Sequence, residues 1–186
     1  MQTLTPGNPF IYMKVGVHAS EDLTSIIIRK RAEISKAGVA FWGYGGNTCH
    51  PLTAVQPFVE EAVKDGISVH LLMQEIKSNH FAEPLRAEQC SADGVTYKKI
   101  HPDIHVLGSR YALVIDSLDA TEIGVHLNQT KVGIGRLAGN TGESYLRGRV
   151  DKACLIYAPE LPSAESPEVK LVLSARLAPP YAVLLK

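Results

Sequence analysis

Helical periodicity is confined to the first third of this chain, and from Tyr111 to the carboxyl end the apolar residues come in short runs of β character. Patterns of period 3.6 and period 2 bury different kinds of face, so the asymmetry restricts the chain to helices supplied early and strands supplied late. The expected fold is a single α+β domain over residues 1–186. It has a mixed sheet, two to three helices in the N-terminal half and a predominantly antiparallel β C-terminal half.

Residues 10–18 alternate, with Ile11, Met13, Val15 and Val17 on one face, and read as a first strand. Ser20 is the expected N-cap of a helix whose stripe of Leu23, Ile26, Ile27 and Ile34 lies opposite Arg29 and Lys30, with Gly38 as its stop. Residues 39–42 form a second strand. Pro57 is expected in the first turn of a helix running to Asp65, which leaves 43–56 as a long loop. With residues 67–76 as a third strand, this order predicts neighbouring parallel strands joined by right-handed crossovers. The stretch from Lys77 to Pro102 is polar and interrupted, with one short helical turn over 85–89. Strands are then expected at 111–115, 123–127, 131–134, 153–157, 169–177 and 181–185. The last two are expected to leave an apolar edge on which a second copy pairs, giving a homodimer.

Charge and composition exclude several functions. Lys plus Arg and Asp plus Glu are equal at 19 each, so no net field draws in a long nucleic acid or an anionic membrane. No apolar run approaches the roughly 20 residues that cross a bilayer, and residues 1–10 lack the layout of a signal peptide, so a cytoplasmic protein is expected. Cys49, Cys90 and Cys154 form neither a CxxC pair nor an even set, and free thiols are expected. A metal reading built on Cys90, His101 and His105, with His80 or Cys49 as fourth ligand, is opposed by Pro102, and no metal or cofactor is assigned.

The most unusual segment is GYGGNTCHP, residues 43–51, with three glycines in four positions directly after an apolar strand. Glycine lets a backbone turn sharply or approach a ligand closely. The amides of Gly43, Gly45 and Gly46, with the Asn47 and Thr48 side chains, are expected to cradle an anion, and Trp42 and Tyr44 to stack on a base. The spacing fits neither the P-loop nor GxGxxG. A second glycine-rich stretch, residues 133–149, brings Arg136 and Arg147, whose guanidinium forks suit phosphate. The expected function is binding of a small phosphate-bearing, nucleotide-like ligand. The alternatives are a cysteine-dependent hydrolase or transferase, with Cys49 near a helix start and His105 as a distant base, and an interaction domain in which the glycines serve packing alone.

Overall fold

The computed structural model describes residues 4–46, 48–80, 85–161 and 166–186. Strand β1 (Pro9–His18) alternates as its sequence demands, but both of its faces are buried. Ile11 and Val15, with Met13 against them, join one core, while Phe10 and Tyr12 join a second core on the other side of the sheet.

Helix α1 (Leu23–Ala37) starts two residues later than Ser20 suggests. The Asp22 carboxylate accepts from the Ser25 amide at 2.9 Å, while Ala19 and Ser20 take positive φ in the turn before it. Gly38, at φ 79°, ends the helix in the left-handed conformation and donates to Ile34. Lys30 departs from its expected place on the polar face. It is buried with Glu33 on the same side as Leu23 and Ile26, and its Nζ lies 2.9 Å from the Glu33 carboxylate.

After β2 (Ala40–Gly43) the chain enters α2 (Leu52–Lys64), which takes up part of the expected loop and places Pro57 inside the helix. A proline there removes one backbone hydrogen bond and costs about 3 kcal/mol. Burial of Leu52, Val55, Val59 and Ala62 along one stripe offsets that cost. Gln56 adds side-chain donors to the carbonyls of Pro180 and Ala182, at 3.2 and 2.7 Å.

The remaining elements are β3 (His70–His80), β4 (Gln89–Ser91), β5 (Lys98–Lys99), β6 (Tyr111–Ile115), β7 (Asp119–His126), a 3₁₀ turn (Leu127–Gln129), β8 (Thr130–Val132), α3 (Gly142–Tyr145), β9 (Lys152–Tyr157) and β10 (Glu168–Leu185). The described residues thus hold three α-helices, of which the two long ones precede most of the strands, and a ten-stranded mixed sheet that is mostly antiparallel, an α+β fold. No helical turn forms over 85–89; Arg86 bridges to Leu107 and Gln89 begins β4.

The sheet order is β2-β6-β10-β3-β1-β9-β8. β1 and β3 are parallel neighbours, as expected, but β2 lies away from them, antiparallel to β6 at one end of the order. The two expected C-terminal strands are one long strand, β10, shifting register between Leu177 and Ala182. It pairs with β3, β4, β6 and β7 within the chain, which takes up much of the edge on which a second copy is expected to pair. Both α1 and α2 pack on one face of the sheet, and β7, β8 and the segment before β6 enclose the other. No helix among the described residues is long and apolar enough to cross a membrane.

Candidate functional site

The glycine-rich loop leaves β2 and reaches the start of α2 against the first residue of β6. Its amides are largely engaged inside the protein: Tyr44 and Gly45 both donate to the Tyr111 carbonyl, at 3.1 and 2.9 Å, and Gly45 accepts from Arg110 at 3.2 Å. A Cβ on Gly45 would lie 2.6 Å from the Tyr111 amide nitrogen, so this glycine is required by a neighbouring backbone. The expected aromatic platform is also absent. Trp42 is 5% exposed and Tyr44 0%, with the Tyr44 ring against that of Tyr111, so neither ring offers a face to a base. Gly46 and Thr48 are exposed, and Asn47 lies outside the described residues.

The two glycine-rich stretches meet, and His50 joins them. Its imidazole stacks nearly parallel on the Tyr145 ring with centroids 5.3 Å apart, and a Cβ on Gly135 would lie 3.4 Å from its Nδ1. Gly133 likewise faces Phe58 of α2. The Tyr111 hydroxyl donates to the His50 carbonyl. Thr141 caps α3 by accepting from Ser144, whereas the N-cap of α2, Pro51, makes no side-chain cap bond.

Arg136 and Arg147 are exposed, and neither side chain makes a hydrogen bond or ion pair among the described residues. A nearer cation comes from outside both loops. Lys152, at the start of β9, is 11% exposed at its side chain, and its Nζ lies 5.6 Å from the Tyr44 ring centroid and 3.8 Å from the position of a Gly46 Cβ. Its ion-pair neighbour among the described residues, the Asp151 carboxylate, is a long 3.8 Å away. Sequence reasoning assigned no role to Lys152, His50, Tyr111 or Tyr145; His50 and Tyr145 belong to the two glycine-rich stretches themselves, while strand pairing brings Tyr111 and Lys152 to the loop.

Three buried polar atoms around the loop and Lys152, the Tyr44 hydroxyl, His50 Nε2 and Asp151 Oδ1, have no hydrogen-bond partner among the described residues. An unmet buried polar group costs about 1–3 kcal/mol, so such atoms mark a place suited to a polar guest. Burial lowers the His50 pKa and favours the neutral imidazole, and it raises those of Tyr44, Tyr111 and Tyr145, holding their hydroxyls protonated.

Cys49 is half-buried beside this cluster. Its Sγ lies 3.1 Å from the Gly46 nitrogen as acceptor and 3.4 Å from the Gly46 oxygen as donor. His105 belongs to a different environment: its amide donates to Glu33 and its carbonyl accepts from Arg29 and Lys30, at 3.2, 2.7 and 2.6 Å. Its segment is held to α1, and it makes no hydrogen bond to Cys49 among the described residues. Among the described residues no three metal-ligating side chains converge, and the His80 side chain lies outside them. No family model matches the chain, and neither a curated protein nor a solved structure does.

Proposed function

We propose that the protein binds a small phosphate-bearing ligand at the seam of the two glycine-rich loops, with the phosphate between Lys152 and the start of α2. The observation that carries this reading is the nearly buried Lys152 ammonium beside Gly46 and over the ring of Tyr44, whose buried hydroxyl has no partner among the described residues. A helix start adds amides not used within the helix and the positive end of its dipole. Arg136 and Arg147 stand at the rim as exposed forks for a second anionic group. Burial of Trp42 and Tyr44 removes the support for base stacking, so the reading narrows from a nucleotide to the phosphate itself.

Calorimetric titration with inorganic phosphate and with a nucleoside monophosphate tests this. Both probes are expected to bind, and Lys152→Met to weaken each about tenfold or more, the scale of one lost charge-assisted contact. Equal binding by Lys152→Met, or no binding of either probe to the wild type, overturns the proposal.

The Gly46 amide at 3.1 Å from Cys49 Sγ favours a second reading, a nucleophilic thiol with neutral His50 as the nearby base in place of His105. Under native conditions iodoacetamide is expected to label Cys49 well ahead of the buried Cys90 and Cys154. Labelling of all three at one rate would remove this reading.

A further inference from the structure

On the face of β2, β6 and β10 turned away from the helices lies a cavity of about 360 Å³, separate from the loops described above. Its walls are apolar: Phe41, Cys90, Ile104, Val114 and Val183 are each at most 7% exposed. Its volume falls at the lower end of the roughly 300–1,000 Å³ typical of small-molecule sites. Polarity is concentrated on one side, where the exposed Lys98 and Lys99 of β5 also line it. Lys98 lies directly across the strand pair from Cys90, which places this cationic edge against the apolar wall.

Neither lysine has an ion-pair partner among the described residues, and two nearby acids, Asp93 and Asp103, are engaged with other groups. Asp93 accepts from Ser91 Oγ, the Val95 amide and the Thr96 amide at 2.7–2.8 Å, closing its own turn. Asp103 lies 3.5 Å from Lys36 and 3.7 Å from His101. An apolar hollow with unmatched ammonium groups at one side is complementary to a molecule with an apolar body and one anionic end.

We infer that this cavity is a binding site for a small amphipathic carboxylate, its apolar chain against Phe41, Val114 and Val183 and its carboxylate beside Lys98, the lysine registered with Cys90, with Lys99 adding to the cationic edge. The site is independent of the phosphate reading, since it shares no residue with the loop seam. The carboxylate is met by flexible point charges on a two-residue strand, so selectivity rests on charge sign and chain length more than on head-group geometry.

Calorimetry with decanoate, decyltrimethylammonium and acetate tests the inference. The wild type is expected to bind decanoate at one site, acetate not measurably, and the cation at least tenfold more weakly than decanoate. The double variant Lys98→Glu/Lys99→Glu, which changes only exposed side chains, is expected to weaken decanoate about tenfold or more and to improve binding of the cation. Ala37→Trp, which fills the cavity from the end of α1, is expected to abolish decanoate binding while circular dichroism stays native; if that variant misfolds, the charge-reversal result decides. Failure of decanoate to bind the wild type, or equal binding of decanoate and the cation to both proteins, overturns the inference.

Discussion

Gly45→Ala is expected to destabilise the protein where Gly46→Ala, one residue away, does not. A methyl on Gly45 would sit 2.6 Å from the Tyr111 amide nitrogen and 2.4 Å from its Cδ1, so the two segments must part by roughly an ångström to restore normal contact. Tyr111 cannot give way easily. Its carbonyl accepts from Tyr44 and Gly45, its hydroxyl donates to His50, and it pairs with Leu184 in the sheet. Overpacking of this kind costs about 1–3 kcal/mol, and the several anchors on Tyr111 place this case near the top of that range. The lower entropy of the unfolded alanine chain returns about 0.4–1 kcal/mol, leaving a net loss of about 2 kcal/mol. In a chain of this size that is a fall in Tm of about 4–8 °C. The nearest atom to a methyl on Gly46 is Lys152 Nζ at 3.8 Å, an ordinary contact, so that variant should stay within about 0.5 kcal/mol of the wild type. Thermal melts and urea titrations at unchanged m-value measure both. Equal stabilities for the two variants, or a Gly45→Ala loss below about 0.5 kcal/mol, would refute the view that a neighbouring backbone fixes this glycine.

Glu33→Gln is expected to cost about 3 kcal/mol or more in urea denaturation, because it leaves the buried Lys30 ammonium without its counter-ion and weakens the hold of α1 on the His105 amide; a loss below about 1 kcal/mol would mean that Arg29 and Lys30 are satisfied without it. Stability is also expected to fall as the pH drops below neutrality. Burial lowers the pKa values of His50, His70 and His105, so the unfolded chain binds protons more readily than the folded one. Their contribution is complete above the ordinary histidine value of about 6.5 and is lost as the pH falls through it toward the folded values. Urea midpoints measured from pH 7.5 down to pH 5.5 check this, and a flat profile contradicts it.

What was legible in the sequence was whatever local pattern controls. β6 appears as read, β1 within a residue, and Gly38 ends α1, because alternation and a left-handed stop are properties of a few adjacent residues. The failures arise where a distant partner decides. Lys30 looks like a surface residue until Glu33 and the His105 carbonyl give it a buried partner set. Pro57 looks like a helix start until the sheet rewards the turns before it. The strand β2 has no sequence mark of its partner, and the partner is β6, far along the chain.

The glycine loop shows the same limit at the level of function. A glycine cluster says that something comes close to the backbone, but not whether that is a ligand or the protein itself. At Gly45 it is Tyr111, and the amides of Tyr44 and Gly45 are already engaged, which takes from the loop most of the cradle that its composition suggested. The charge that remains useful to an anion is Lys152, which lies three residues past the second glycine-rich stretch and about a hundred from the first, and which β9 brings to Gly46. A cation held on a strand that pairs on both sides is better fixed than arginines on an exposed loop, so Lys152 should decide whether an anion binds, while Arg136 and Arg147 should only adjust how tightly.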